Sequence, residues 1–214
     1  MFKPLPAQAQ VNKQSRPQEI QRFLKVLQTE RNEWERARAA TWLGVLEAEE
    51  ALGQLHKSLT SDVSNQVRIN ASNAIARINK KASVKKLVAA IPDNRGRTDV
   101  QLAIIRALGD MKDNSVDAIP VLVRFLRTPS PYVREATVEA LWKIRDPRVI
   151  DVLNRLLEQE QELVVKLTLT SVIADFRSPE SVAILERITK RANEHVDVKA
   201  NARDALDKLA QMGL

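Results

Sequence analysis

The sequence predicts an all-α protein, a right-handed α-solenoid of six helix pairs with a period of 32–33 residues. Three observations lead to this class. One motif recurs six times at nearly constant spacing, which is the signature of a repeat architecture. Ala, Leu, Val, Ile, Arg and Lys are plentiful while aromatic residues make up only 4%, as is typical of helical proteins. Turn residues separate the apolar segments, so each segment is read as one helix.

The motif has a hydrophobic residue at position 0, a basic or polar residue at +1, and mostly small or apolar residues at +4, +7, +8 and +11. In the copy that starts at Val67, the last four are Ala71, Ala74, Ile75 and Ile78. These spacings place the side chains on one side of a helix with 3.6 residues per turn. The +1 residues, at spacings of 32, 33, 33, 32 and 33, are Arg36, Arg68, Gln101, Arg134, Lys166 and Lys199.

A shorter apolar segment precedes each copy and is predicted to be the first helix of each pair. These segments are Ile20–Leu27, Ala51–Leu59, Val84–Ala90, Ala118–Leu126, Val149–Leu157 and Val182–Ile188. Asp146-Pro147 and Ser178-Pro179 place a capping residue and a proline at two helix starts. We therefore expect one solenoid over residues 18–214. Residues 1–17, rich in Gln and Pro, are expected to form a flexible arm.

Composition excludes several classes of protein. The chain has no cysteine and only two histidines, His56 and His195, which argues against thiolate or multi-histidine metal sites and against a Ser-His-Asp triad. No glycine-rich phosphate loop is present. We therefore predict no catalytic, metal-binding or cofactor-binding residues. No apolar run approaches the roughly 20 residues that span a bilayer, so the chain is expected to be soluble and cytoplasmic.

The second helices are expected to line a concave groove, and a helical wheel places positions +2, +5, +6 and +9 away from the core. The central repeats then present an apolar patch with a charged rim, a pattern typical of a protein-binding site. The predicted groove residues are Leu102, Ile105, Arg106, Glu135, Val138, Glu139, Trp142 and Leu167. The competing interpretation is that residues at +2 and +5, such as Ile105 and Val138, pack between neighbouring repeats.

The positive charge is uneven. Residues 1–100 carry 17 Lys and Arg against 10 Asp and Glu, a net charge of 17 − 10 = +7, and the remaining residues carry 17 of each. Such a basic half suits an acidic protein, nucleic acid or an anionic membrane surface. A predicted basic edge consists of Arg77, Lys80, Lys81, Lys85, Lys86, Arg95 and Arg97. The simpler interpretation of this cluster is a solvated helix junction.

The basic residues at +1 have two interpretations, a ladder for phosphate groups or structural pairing with an adjacent repeat. Gln101 interrupts the series, and half-buried arginine is usually paired, so pairing is favoured. Glu135 and Glu139 stand one turn apart and could form a carboxylate pair. Such neighbours on a helix are usually only solvated.

Three stretches carry a resemblance to a known family: Pro131-Tyr132-Val133-Arg134, Ala107-Leu108-Gly109-Asp110 and Asp146–Leu153. Over residues 18–211 the chain resembles HEAT-like repeat proteins of the phycobilisome-lyase type. That group includes bilin lyase subunits, proteins that promote phycobilisome breakdown, and adaptors for iron–sulfur carriers. HEAT-like repeats also occur in DNA glycosylases for alkylated bases and in deoxyhypusine hydroxylases. The hydroxylases bind iron through His-Glu pairs, and no His-Glu dipeptide is present here.

The resemblance implies a non-catalytic scaffold that grips an acidic partner protein, such as a phycobiliprotein, with Trp142 as the anchor. A bilin lyase subunit is the first alternative, and a bilin would then be its only cofactor. An alkylpurine DNA glycosylase is the second, disfavoured because Glu135 and Glu139 flank Trp142. Binding to nucleic acid is accordingly not expected. A heterodimer with a second HEAT-like subunit remains open.

Overall fold

A computed structural model describes residues 15–214, which form α-helices, short 3₁₀ turns and connecting loops. They divide into two compact units, one ending at Ile78 and the other beginning at Asn79. The first unit contains α1 (Arg16–Thr29), α2 (Glu33–Val45), α3 (Leu52–Ser61) and α4 (Asn65–Ile78). The second contains α5 (Ala82–Asp93), α6 (Thr98–Asp110), α7 (Ile119–Phe125), α8 (Pro131–Ile144), α9 (Ile150–Gln159), α10 (Leu163–Val172), α11 (Pro179–Lys190) and α12 (Val196–Gln211). The odd-numbered helices are the first helices of six pairs, as the repeat predicts.

The expected N-terminal arm, residues 1–17, lies mostly outside the described residues. Its last two residues, Arg16 and Pro17, already belong to the first turn of α1. Proline is well suited to that turn because its missing N–H has no helical partner there. Arg16 Nη2 also donates to the Leu46 carbonyl oxygen at 2.6 Å, which ties the start of α1 to the end of α2.

The cores follow the motif closely. In α4, Val67, Ala71 and Ile75 are fully buried, and the same positions of α8 are buried as well. Within each unit, a second helix packs on its own first helix and on the second helix beside it: α2 lies against α4, and α8 lies against both α6 and α10. A helix such as α8 is therefore buried on three sides, and its exposed strip is narrower than the helical wheel suggests.

Helix ends show which capping predictions hold. Asp146 is the N-cap it was predicted to be, since its carboxylate accepts a hydrogen bond from the Arg148 backbone N–H at 2.9 Å. Ser178 makes no such bond; its hydroxyl donates to the carboxylate of Glu180 instead. His195 caps α12 through Nδ1, which accepts from the Asp197 N–H at 3.2 Å. This histidine therefore has a structural role.

Five of the six second helices, all but α12, are followed by a residue with left-handed backbone at position +12. These residues, with φ from 49° to 59°, are Glu47, Asn79, Lys112, Arg145 and Arg177. Their spacing repeats the period of the motif. Glycine or asparagine usually occupies such C-terminal positions, but only Asn79 fits that preference here. The remaining four hold a side chain in a conformation that costs about 1–2 kcal/mol.

Lys112→Gly is therefore expected to raise the free energy of unfolding by about 0.5–1 kcal/mol, the relieved strain less the entropy cost of glycine. Lys112 is exposed, so its side chain contributes little packing. Lys112→Ala is the control, because it retains Cβ and with it the strain. Urea unfolding followed by circular dichroism measures both variants. Equal stability of the glycine and alanine variants would contradict the assignment of backbone strain to Lys112.

Candidate functional site

Basic residues at +1 form buried ion pairs. Arg36 binds the Asp62 carboxylate with two hydrogen bonds of 2.8 and 2.9 Å, and Arg134 binds Glu160 through two of 2.8 Å. Each pair joins one repeat to the loop of the next. The acids are Asp62 and Glu160, six residues before the following +1 position. Structural pairing is confirmed for these residues, and their charge is already neutralised within the chain.

The third pair has the same form, with Lys166 Nζ 2.9 and 3.1 Å from the Glu194 carboxylate oxygens. Burial by itself opposes ionisation of Asp62, Glu160 and Glu194. The hydrogen bonds from their basic partners and from nearby backbone N–H groups outweigh it and lower the pKa of all three carboxyls. Arg68 at the same position donates to the carbonyl oxygen of Asp62 at 2.6 Å.

The exposed strip of the second helices lies at +2, +6 and +10. In the second unit we call this strip the open face. It consists of Leu102, Arg106, Asp110, Glu135, Glu139, Lys143, Leu167, Ser171, Asp175, Ala200, Asp204 and Lys208, all exposed or half-buried. Five of these side chains are acidic and three are basic, so the face has mixed charge with an acidic excess. Of the predicted groove residues, it includes Leu102, Arg106, Glu135, Glu139 and Leu167.

Two predicted groove residues are wrong. Ile105 and Val138 both have no exposed surface and belong to the core. They stand at +5, on the flank of a second helix that faces its neighbour in the stack. The helical wheel considers only the packing of a second helix on the first helix of its own pair. It therefore does not show that this flank is buried by an adjacent repeat. The competing interpretation of packing between repeats applies to both.

Glu135 sits at the middle of the open face. It is half-buried, with the Thr168 hydroxyl 3.5 Å from its carboxylate. Burial and the neighbouring Glu139 raise the pKa of Glu135 above its ordinary value, and the favourable effects of Arg106 and Thr168 are smaller. The Glu139 carboxylate, one turn away, therefore acts electrostatically on Glu135, and Arg106 is the nearby cation.

Trp142 lies half-buried beside the open face. Its indole N–H donates to Asp175 at 2.7 Å, across to the next repeat. Lys208 also hydrogen-bonds Asp175, so three repeats meet at one carboxylate. Burial opposes ionisation of Asp175, but the hydrogen bonds from Lys208 and Trp142 prevail and lower its pKa. The indole ring is held in one orientation, and its only donor is already in use.

The predicted basic edge falls in both units. Arg77 is an exposed residue at the end of α4 in the first unit. In the second unit, Lys80 and Lys81 precede α5, Lys85 and Lys86 project from it, and Arg95 and Arg97 follow it. All are exposed except Arg97, which is half-buried. Lys81 lies 3.9 Å from the exposed Asp117, a contact worth little in water. We call residues 80–97 the α5 basic patch.

Residues 15–214 contain no grouping of three or more His, Asp or Glu side chains that could hold a metal ion. None of the helices in that range is both long and apolar enough to cross a membrane. The open face presents charged, hydroxyl and apolar side chains on a row of packed helices.

Comparison with known proteins agrees with this architecture. A family model described as HEAT repeats matches residues 20–99 and 94–174. Phycocyanobilin lyase subunit alpha of Nostoc sp. (strain PCC 7120) is 31% identical over 97 residues, which cover 43% of this chain and 34% of that protein. The aligned part thus spans about a third of the relative's length.

Three solved structures share the fold. The complex of CpcE and CpcF of phycocyanin lyase from Nostoc sp. PCC7120 has a TM-score of 0.60 and 19% identity, covering 100% of this chain and 82% of that one. An archaeal HEAT-like repeats protein from Thermococcus onnurineus NA1 has a TM-score of 0.55 and 14% identity, with 94% of each chain covered. Human deoxyhypusine hydroxylase has a TM-score of 0.54 and 15% identity, covering 94% and 88%.

These structural matches confirm the all-α solenoid class predicted from the motif, and the relative from Nostoc confirms the resemblance to proteins of the phycobilisome-lyase type. The family model alone covers residues 20–174, well over half of the chain, along the same helix pairs that the buried motif positions build. The chain belongs to the HEAT repeat family.

Proposed function

We propose that this chain is a HEAT-repeat scaffold that binds a phycobiliprotein through the open face of its second unit. The observation that carries the proposal is the composition of that face. Leu102 and Leu167 supply apolar surface, Arg106 is an exposed cation, and the Trp142 ring beside them is held in place by Asp175. A pre-positioned aromatic ring and an arginine are the side chains that most often dominate protein interfaces.

The identity of the partner is supported by the similarity to phycocyanobilin lyase subunit alpha. The same relative favours a second candidate function, that of a subunit of a bilin lyase. In that case the partner would receive a bilin on one of its own cysteines, and the cysteine-free sequence would be no obstacle. A second HEAT-like subunit would then complete the enzyme.

The α5 basic patch gives the scaffold a means of attracting an acidic partner. Lys85 and Lys86 lie exposed on one helix with no acidic residue in its first turn, and Arg95 follows the same helix. Exposed charges of one sign steer an oppositely charged protein and raise its association rate, an effect that salt screens within about 10 Å. The open face, which is more acidic than basic, cannot supply that attraction.

The decisive experiment measures binding of the purified chain to phycocyanin lacking its bilin, by surface plasmon resonance. Arg106→Glu is expected to weaken affinity at least about tenfold, because it adds a third carboxylate beside Glu135 and Glu139. Arg155→Glu, an exposed site on α9, is the matched control and should bind normally. Lys85→Glu with Lys86→Glu should lower the association rate, and the loss should shrink as salt is added.

Equal binding by the Arg106 and Arg155 variants would show that the open face is not the binding site. If the wild type does not bind, a phycobiliprotein is not the partner. Adding phycocyanobilin, with and without a second HEAT-like subunit, separates the two candidate functions. Bilin absorbance that stays with the phycocyanin polypeptide after denaturation in acidic urea means covalent attachment and supports the lyase subunit. Binding without such attachment supports the scaffold.

A further inference from the structure

For α6, α8 and α10 of the second unit, position +9 faces the next repeat, and the residue at this position differs in each repeat. At Gly109 the neighbouring helix closes in, so that a Cβ there would lie 2.7 Å from the Ala140 Cα. At Trp142 an indole ring occupies the position and hydrogen-bonds Asp175 across the junction. At Ala174, one repeat later, there is only a methyl group, and a cavity lies between the two helices.

This cavity has a volume of about 230 Å³ and is lined by the end of α10, the 3₁₀ turn that follows it, and α12. Ala174 and Ala205 form its buried floor, while Ser171 and Asp204 stand exposed at its rim. The cavity is open to solvent at its mouth, and its volume exceeds that of the enclosed cavity of roughly 150 Å³ that holds one benzene. It is smaller than the roughly 300–1,000 Å³ of sites that enclose a whole drug-sized ligand. The space therefore suits one ring system.

The polar side chains at the rim of the cavity indicate which kind of aromatic ring it would bind. Asp204 makes no hydrogen bond or ion pair with any other described residue, whereas Lys208 on the same rim already bonds Asp175. A free carboxylate at the mouth of a ring-sized cavity accepts a hydrogen bond from an N–H or O–H group. The preceding junction shows the same pairing made within the chain, between the Trp142 indole N–H and the Asp175 carboxylate.

We propose that this cavity, which we call the α10–α12 pocket, receives one tryptophan or tyrosine side chain of the protein partner, with its N–H or O–H directed to Asp204. The inference rests on the proposed function, because it assigns a contact to the partner of the same open face. Phenylalanine would fill the space but leave Asp204 without a hydrogen bond.

The test needs no partner at first. N-acetyltryptophanamide is titrated into the isotopically labelled full chain, and binding is followed by NMR. Shifts are expected at Ser171, Asn201 and Ala205, with millimolar affinity for so small a probe. Ser171→Trp places an indole over the mouth from an exposed position and should weaken binding at least about tenfold. Ala183→Trp, exposed on α11, adds the same side chain elsewhere and should bind as the wild type does.

N-acetylphenylalaninamide tests the role of Asp204. It should bind about tenfold more weakly than the tryptophan probe, the effect of one hydrogen bond to a charged group, and Asp204→Ala should abolish that difference. Absent shifts in the wild type, or unchanged binding by the Ser171 variant, would overturn the inference. If phycocyanin binds normally to the Ser171→Trp variant, it does not contact the α10–α12 pocket, and the proposed scaffold function is unaffected. If the probe binds and no partner does, the scaffold function fails instead.

Discussion

Arg134→Ala is expected to lower the free energy of unfolding by about 3–5 kcal/mol, the usual cost of removing one partner from a buried ion pair. The guanidinium joins Glu160 through two hydrogen bonds of 2.8 Å. It also donates to the carbonyl oxygens of Thr128 and Pro129 at 2.8 and 3.0 Å. The side chains of Arg134 and Glu160 are only 12% and 5% exposed. Alanine would leave the two loop carbonyls without this donor, and the buried Glu160 carboxylate would keep only the Gln161 and Glu162 backbone N–H groups.

The matched control is Arg148→Ala. Arg148 also forms two-pronged hydrogen bonds, with Asp146, but 72% of its side chain is exposed. Water replaces such contacts at little cost, so this variant should unfold close to the wild type. Urea unfolding of the two variants, monitored by circular dichroism, compares a buried arginine with an exposed one. Similar losses in both variants would show that burial of the arginine is unimportant.

The loss of stability in Arg134→Ala should become smaller as the pH falls. The pKa of Glu160 is lowered in the folded chain because the bonds from Arg134 and from the Gln161 and Glu162 N–H groups outweigh burial. The unfolded state then binds the proton more readily. Stability from this group is therefore present above the unfolded value of about 4.3 and is lost as pH falls through the folded value. The difference between wild type and Arg134→Ala should be full at pH 7 and shrink below pH 4.

The ladder of ion pairs shows how much the motif alone could predict. A basic residue at +1 of a repeat indicates a paired site, and this is correct for Arg36, Arg134 and Lys166. The acids share no single position of the repeat: Asp62 and Glu160 lie six residues before the next +1 position, whereas Glu194 lies five residues before Lys199. The motif therefore predicts that the basic residue is paired but does not locate its partner.

The open face was harder to predict for a physical reason. A single period of 3.6 residues describes one buried side of a helix, but a second helix in a stack also has other second helices beside it, as α8 has α6 and α10. Ile105 and Val138 lie on such a flank and are buried. The glycines at +9 were the available signal, since Gly109 indicates a side where another helix comes close. The left-handed backbone at +12 could not be predicted from the residue types, because lysine and arginine, as at Lys112 and Arg177, are not typical of that conformation.

Gly44→Ala and Gly53→Ala are expected to change stability in opposite directions. A Cβ at Gly44 would lie 2.7 Å from the Cα of Ala74 and 2.9 Å from its Cβ, so the backbone of α4 would have to move away from α2. Gly53 lies in α3, and a Cβ there would meet nothing within 4 Å. Both substitutions gain up to about 1 kcal/mol of helix propensity. Only the first adds an overpacking cost of about 1–3 kcal/mol.

Gly109→Leu is expected to lower the free energy of unfolding more than Gly44→Ala does. At this site the nearest atom to an added Cβ is the Ala140 Cα at 2.7 Å, which is backbone and cannot swing aside as a long side chain would. A leucine would force α6 and α8 apart and lower the free energy of unfolding by about 3 kcal/mol or more. Urea unfolding measures all three glycine variants. Stabilisation by Gly44→Ala equal to that of Gly53→Ala, or a Gly109→Leu variant as stable as the wild type, would contradict the close approach. Loss of stability at both +9 sites but not at Gly53 would show that this position sets the distance between second helices.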